Sequence, residues 1–428
     1  MKIAFYTLGC KVNQYETQAL EQEFVRRGHT LTDFDAPADA YIINTCSVTA
    51  VSDKKSRQVI RRARKENPHA VVAVCGCYPQ THPDDMTGLG IDLVGGTGDR
   101  LAFVELTEQA AAERKPITVL DDAFTRTAFE VLPAGGLEGR TRAMLKVEDG
   151  CVNFCSYCII PYARGRIRSL ALETARQQAK SLQEQGYREI VLTGIEISSW
   201  GRDLKTGEEL TDLVEAICAA APECRIRLGS LEPRTITEEF CTRMSKLPNL
   251  CPHFHLSMQS GCDSVLSRMN RKYDTARYLQ SVRLLRQYFD DPAITTDLIV
   301  GFPGETQEEF AQTLTFIRTC AFSAMHVFPY SKRPGTPAAK MPGQIANAVK
   351  ADRAHAAAQV AEEMERAYLN RFVGRTVPVL FEEEREGLWW GHTPNYIPVA
   401  VKGANLHNRV ADVRLTGVEK GVAGGELV

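Results

Sequence analysis

Three runs rich in Ile, Val and Ala, residues 2–8, 40–44 and 70–74, have the length and composition of short buried strands. Amphipathic stretches lie between them, at 16–27 and 53–66. Strand–helix alternation predicts a parallel sheet covered on both faces. A polar, glycine-containing stretch at 132–136 reads as a linker. Beyond it a strand–helix unit repeats, with strands predicted at 143–148, 189–195, 225–231, 253–258, 293–300 and 325–330. Helices fit between them, for example at 170–185, 210–221 and 306–319. Such a series suits a partial, open form of the parallel barrel. A long Ala- and Glu-rich helix follows at 344–370, then strand-like runs at 377–381, 396–401 and 409–415 with glycine turns between them. That ending suits a small β-barrel. The expected fold is α/β in three domains: a parallel α/β domain over 1–125, a partial (β/α)6 barrel over 137–365 and a small β-barrel over 368–428.

Composition narrows the function classes. The 428 residues are 44% hydrophobic and 24% charged, as in an ordinary globular protein. The formal net charge is −2, so any surface for nucleic acid must be a local patch. No apolar run approaches the ~20 residues needed to cross a bilayer. Gly9-Cys10-Lys11 interrupts the first apolar run before a signal core could form. A cytoplasmic protein with no membrane partner is expected. The 13 cysteines are an odd number with no secretory signal, which argues against a disulfide framework. Cys218, Cys224, Cys241, Cys251, Cys262 and Cys320 sit singly and read as small buried hydrophobes.

Two sets of the remaining cysteines carry chemistry. Cys151, Cys155 and Cys158 follow directly on the first predicted barrel strand. Three thiolates on one short loop can hold three irons of a four-iron, four-sulfur cluster and leave the fourth open. An open iron can chelate S-adenosylmethionine and reduce its sulfonium, yielding a 5′-deoxyadenosyl radical. A structural zinc site would want a fourth ligand, and no further Cys or His follows within the loop. Tyr157 fits the aromatic found before the last cysteine in radical enzymes. Gly194 and Glu196 close the second barrel strand, where a carboxylate can meet the cofactor's amino group. Gln259 ends another strand, and Gly301 and Gly304 shape a turn where backbone can approach adenine. Singly, each glycine reads as a plain turn. Cys10, Cys46 and Cys77 each lie just past one of the N-terminal strands, so a parallel sheet would bring them to one edge as a second cluster site. Cys75 shares the expected strand face with Cys77; Cys77 is preferred because it sits in the turn.

These residues carry a resemblance. Leu8–Gln14 (LGCKVNQ), Asn44–Thr49 (NTCSVT) and Gly76–Gln80 (GCYPQ) are similar to the three cysteine motifs of the methylthiotransferase family of radical S-adenosylmethionine enzymes. Gly150–Arg168 (GCVNFCSYCIIPYARGRIR) resembles that family's central cluster loop, and the ending resembles the TRAM domain, a small RNA-binding barrel. Pro79 stands where an alanine is usual. The resemblance implies two 4Fe-4S clusters and two uses of S-adenosylmethionine. One molecule methylates a sulfur on the N-terminal cluster; a second is cleaved, and its radical takes hydrogen from an unreactive substrate carbon, to which the methylthio group passes. LGCKVNQ and the run Phe328–Ala338 (FPYSKRPGTPA) look most like the MtaB-like subgroup. That subgroup acts at carbon 2 of N6-threonylcarbamoyladenosine, at tRNA position 37 beside the anticodon.

The implied partners are the tRNA anticodon stem–loop, a reductant such as flavodoxin or ferredoxin, and a sulfur donor that the sequence does not name; a monomer is expected. Lys54, Lys55, Arg61 and Arg62 lie in a basic run near Cys46 that reads either as a phosphate-contacting surface or as a solvated helix face. Arg164, Arg166 and Arg168, beside the cluster loop, are expected nearer the RNA substrate. From Arg371 to the last residue acidic and basic side chains balance, so an RNA role there rests on the resemblance alone. Rival readings are the same chemistry on isopentenyladenosine in tRNA or on a ribosomal protein, and a zinc-stabilised RNA-binding scaffold without catalysis.

Overall fold

The computed structural model describes residues 1–136 and 140–428. The expected start of the middle domain, residue 137, lies outside the described residues.

The N-terminal sheet has six strands: β1 (Lys2–Thr7), β2 (Thr30–Thr32), β3 (Ala40–Thr45), β4 (Val71–Gly76), β5 (Leu93–Gly95) and β6 (Ile117–Val119). They lie in the order β2-β1-β3-β4-β5-β6, and every pair is parallel. The three strands legible in the sequence are therefore adjacent at the centre. The other three are too short for a period to show. Helices α1 (Lys11–Arg26), α2 (Ala50–Glu66), α3 (Cys77–Thr81) and α4 (Arg100–Glu113) complete the domain. Alternation along the strands divides the two faces. Ile3, Ile42, Ala73 and Cys75 pack with Leu20 and Phe24 of α1 and Phe103 and Val104 of α4. Ala4, Ile43, Val72 and Val74 pack on the opposite face with Val59, Ile60 and Ala63 of α2.

The middle domain carries β7 (Arg142–Lys146), β8 (Glu148–Asp149), β9 (Arg168–Ser169), β10 (Glu189–Thr193), β11 (Arg225–Leu228), β12 (Ser230–Leu231), β13 (His253–Leu256), β14 (Ala293–Val300) and β15 (Ala324–Pro329). A parallel sheet β11-β10-β7 and a parallel sheet β12-β13-β14-β15 form an open arc. The run expected as one strand at 225–231 is broken at Gly229, where a Cβ would stand 2.7 Å from the Leu192 carbonyl oxygen. Leu145, Ile190, Leu192, Leu228, Leu256 and Leu298 belong to one core. Helix α5 (Ile160–Arg164) follows the cysteine loop, and α6 (Leu172–Glu184), α7 (Leu210–Ala220), α8 (Glu238–Met244), α9 (Asp263–Arg268), α10 (Thr275–Tyr288) and α11 (Gln307–Cys320) connect the strands.

Helix α12 (Asn347–Asn370) leads into the last domain, a closed barrel of β16 (Thr376–Arg385), β17 (Leu388–His392), β18 (Pro398–Val401), β19 (Val410–Glu419) and β20 (Val422–Leu427). Tyr368 and Leu369 of α12 pack into its core with Val379, Val399 and Val413. Closure leaves no open sheet edge. Among the described residues no helix is long and apolar enough to cross a membrane.

Candidate active site

Cys10, Cys46 and Cys77 follow β1, β3 and β4, neighbours in a parallel sheet, so all three stand at one carboxyl edge. Their loops touch: a Cβ on Gly9, whose φ is +102°, would stand 2.9 Å from Cys46 Sγ. Gly76, also at positive φ, packs on the Thr45 carbonyl, a fit open only to glycine. Asn13 binds two of the loops together. Its Nδ2 donates to the Leu8 carbonyl (2.8 Å) and the Thr45 carbonyl (2.9 Å), just ahead of Cys10 and Cys46. Burial raises the Cys46 thiol and pushes Cys77 up to about 12, with the other thiols of the set adding to both. Cys77 is not in a turn, as expected, but is the first residue of α3, because Gly76 bends the chain directly into a helix. Cys75 lies in the core beneath α1 and α4, away from the three thiols.

The second set stands at the mouth of the barrel. The loop from Cys151 is pinned on both sides. Cys151 donates its N–H to the Gly165 carbonyl (3.1 Å), Ser156 donates to Met269 (3.0 Å), and Ala338 donates to Ser156 (2.8 Å). Burial pushes the Cys151 and Cys158 thiols up to about 12, and the three cysteines act on one another electrostatically. Arg271 was not anticipated from the sequence: its Nη1 lies 3.2 Å from Cys155 Sγ. Among the described residues no three His, Cys, Asp or Glu side chains converge on a single ion. A cubane does not ask for that, since each thiolate binds a different iron corner.

Glu196 stands beside this loop. Its Oε2 accepts from Ser199 Oγ (2.7 Å) and Asn153 Nδ2 (3.3 Å), while its buried Oε1 has no partner among the described residues. That orphaned acceptor suits an ammonium donor such as the methionine end of S-adenosylmethionine. Behind it, Glu148 accepts the Glu196 N–H (2.7 Å), and burial lifts its carboxyl well above the usual range. Gly194 lets this packing close, since a Cβ there would meet Glu148 Oε2 at 2.9 Å. A cavity of about 300 Å³ lies between Cys158 and the Val48–Thr49 segment that follows Cys46. Tyr157, Cys158, Ile159, Gln259 and Asp297 line it on the barrel side, Val48 and Thr49 on the N-terminal side, and Phe328 to Ser331 close it. A larger cleft of about 630 Å³, along Trp200, Lys205 and Thr237, touches none of the six cysteines.

Four expected site residues meet other parts of the chain. Gly301 packs on Lys350 of α12, and the Gly304 N–H donates to the Gly343 carbonyl (2.8 Å) in the segment ahead of that helix. Arg164 and Arg168 are buried, so neither is a surface for RNA. Arg164 donates to Glu16 and to Asn13 Oδ1 (2.8 Å), and Arg168 pairs with Asp149 at 3.2 Å. Arg166 is exposed, as are Lys54, Lys55 and Arg61. Arg62 is half-buried and paired with Asp35. Sequence reading also missed Arg333, which is buried against Asp53 and donates to Ser47 Oγ (2.6 Å), directly after Cys46.

Comparison with known proteins agrees with this geometry. Residues 145–317 match the Radical SAM superfamily, residues 370–428 the TRAM domain, and residues 2–96 the Uncharacterized protein family UPF0004. A radical S-adenosylmethionine methyltransferase from Kitasatospora setae, solved with cobalamin and a [4Fe-4S] cluster, shares the fold at TM-score 0.57 and 16% identity, over 91% of this chain and 80% of that one. The arc of parallel strands and its three-cysteine loop thus define a radical SAM enzyme. Relatives narrow the class. Threonylcarbamoyladenosine tRNA methylthiotransferase MtaB of Bacillus subtilis is 42% identical over 96% of this chain and 93% of its own length. The protein of that name from Thermotoga maritima is 36% identical over 95% and 92%. A tRNA-2-methylthio-N(6)-dimethylallyladenosine synthase of Pelotomaculum thermopropionicum is 31% identical over 97% and 95%. The chain belongs to the MtaB-like methylthiotransferase family.

Proposed function

We propose that this enzyme adds a methylthio group to carbon 2 of N6-threonylcarbamoyladenosine in tRNA. In this reading Cys151, Cys155 and Cys158 hold one four-iron cluster and Cys10, Cys46 and Cys77 the other. The observation that carries it is the cavity lined by Cys158 on one side and by Val48 and Thr49, two and three residues after Cys46, on the other. When bound, the clusters and S-adenosylmethionine supply the radical and the methylthio sulfur. The chain supplies position. Glu196 Oε1, which has no partner of its own, would accept from the cofactor's ammonium, and Val48, Ile159 and Phe328 would give the reacting carbon apolar walls. The run that resembles the threonylcarbamoyladenosine subgroup, from Phe328, forms the cavity's outer wall, which supports that nucleoside as the substrate. Residues 1–125 are assigned to sulfur carriage, 137–365 to radical generation and 368–428 to RNA docking. The enzyme acts in the cytoplasm as a monomer, with a flavodoxin- or ferredoxin-type reductant.

Anaerobic reconstitution, then nucleoside analysis of tRNA incubated with the enzyme and S-adenosylmethionine, tests this. The 2-methylthio form of threonylcarbamoyladenosine is the expected product. A methylthio group found only on isopentenyladenosine or on a ribosomal protein would overturn the substrate, and zinc with little iron would overturn the chemistry.

Two further outcomes follow from named side chains. Hydrogen bonds to cluster sulfurs set potential, so Arg271→Met should move the catalytic cluster's midpoint more negative and slow cleavage of S-adenosylmethionine. Potentiometry followed by electron paramagnetic resonance reads it; an unshifted midpoint denies Arg271 that role. Lys54, Lys55 and Arg61 are exposed on α2 near Cys46. Replacing all three with alanine should raise KM for tRNA by roughly 10-fold and flatten its salt dependence, as loss of phosphate contacts requires. An unchanged salt slope would return α2 to a plain solvated face.

A further inference from the structure

A cluster of buried charges lies where the N-terminal domain meets the barrel, and nothing in the chemistry above uses it. Glu16 of α1 is fully buried, yet it receives Arg100 (2.8 Å) from its own domain and Lys146 (2.9 Å) and Arg164 from the barrel domain. Burial works to raise its pKa, but Arg100, Arg164 and Lys146 hold it well below the carboxylate range. Asp149 takes Lys146 (2.8 Å) and Arg168 (3.2 Å). Glu130 accepts the Arg100 N–H, so the cations Arg100, Lys146, Arg164 and Arg168 are held against Glu16, Asp149 and Glu130 across the domain boundary.

Arg164 leads from this cluster toward the N-terminal cysteines. It enters from α5, just behind the Cys151–Cys158 loop, and ends against Asn13 Oδ1 at 2.8 Å. Asn13 is the amide that ties the Cys10 and Cys46 loops through Leu8 and Thr45. The buried Arg164 Nε–H has no partner among the described residues, a donor left over for a thiolate or sulfide. One side chain of the barrel domain therefore reaches the Cys10 and Cys46 loops of the other domain through Asn13.

We propose that Arg164, acting with Asn13, is the positioning residue of the N-terminal cluster site, so that this cluster is held only when the two domains are docked. The proposal rests on the two-cluster reading above. Groups beyond the ligands orient them, and their loss costs about 10–100-fold in metal affinity or activity. Glu16 and Asn13 Oδ1 both accept from Arg164 and keep its guanidinium aimed at the cysteine edge.

The test compares wild-type enzyme with Asn13→Ala, Arg164→Met and Arg164→Lys after anaerobic reconstitution. The readouts are iron and sulfide per chain, electron paramagnetic resonance of the reduced protein with and without S-adenosylmethionine, and methylthio product. Asn13→Ala and Arg164→Met should keep half of the wild-type iron and the signal that responds to S-adenosylmethionine, and lose product by about 10–100-fold. Arg164→Lys, which keeps the charge, should recover part of the missing iron. Cys77→Ala sets the scale for loss of that cluster. Full iron and wild-type product in Asn13→Ala and Arg164→Met would overturn the proposal. So would loss of both clusters together with a collapsed thermal melt, which would make the pair a folding element only. If wild-type enzyme itself holds one cluster, it is the two-cluster reading that fails.

Discussion

Cys46→Ala is expected to lower methylthio transfer by more than about 100-fold while S-adenosylmethionine is still cleaved to 5′-deoxyadenosine. The separation follows from where the six cysteines lie. Cys151, Cys155 and Cys158 sit on a barrel loop held by Met269, Ala338 and Gly165, none of which belongs to the N-terminal domain. Cys46 stands across the cavity, at the end of β3. Removing its thiol leaves the catalytic loop's hydrogen bonds and the orphaned Glu196 Oε1 in place, so radical generation has what it needs. What is lost is a ligand to the sulfur-bearing site. Cys155→Ala should abolish both reactions, because every later step depends on the radical. Liquid chromatography of 5′-deoxyadenosine and of digested tRNA from the same incubation separates the two. Equal loss of both products in Cys46→Ala would mean that the two thiol sets form one cooperative site, and the division of labour proposed above would fall.

The parts of this site that could be read from the sequence are those tied to local pattern. Cys10, Cys46 and Cys77 could be placed together before any contact was seen, because parallel strands carry their ends to one edge. Cys75 resisted assignment, since period two offers it the face of Cys77 only if the strand continues; Gly76 ends the strand and starts α3 instead. Arginines were read least well. Arg164 and Arg168 looked like RNA contacts because charge beside a cluster loop suggests a phosphate. Their partners, Glu16 and Asp149, stand 148 and 15 residues from Arg164, and no spacing rule pairs residues that distant. Arg271 and Arg333 were invisible for the same reason: the sulfur and carboxylate they meet, on Cys155 and Asp53, are 116 and 280 residues away. Gly301 and Gly304 were legible only in part. A glycine after a strand announces close approach but not what approaches, and here it is α12 and the segment before it. Short strands such as β5 and β20, with glycine among few residues, gave no alternation to count.

Arg333→Met is expected to loosen the N-terminal domain from the barrel and to depress transfer more than radical formation. Arg333 lies in the run that closes the cavity, yet its side chain is 2% exposed and pairs across the domain boundary with Asp53, itself 11% exposed. A second bond reaches Ser47 Oγ at 2.6 Å, and the neighbouring Ser331 Oγ accepts the Ala50 N–H at 3.2 Å. These contacts hold the Cys46–Asp53 segment over the cavity as a lid is held by its catch. Taking away one partner of a buried pair leaves an uncompensated charge and costs roughly 3–5 kcal/mol. Asp53 would be the stranded group, one turn into α2 and close to Cys46. Hydrogen exchange over residues 46–53 should rise, and the ratio of methylthio product to 5′-deoxyadenosine should fall. Asp53→Asn in the Arg333→Met background supplies the check, because two members of one contact couple by about 0.5–3 kcal/mol and so fail to add. The double variant should be no less stable than Arg333→Met, since it removes the stranded charge. If the two changes add in full, Arg333 and Asp53 stabilise the enzyme separately, and the contact between them does not align the two cysteine sets.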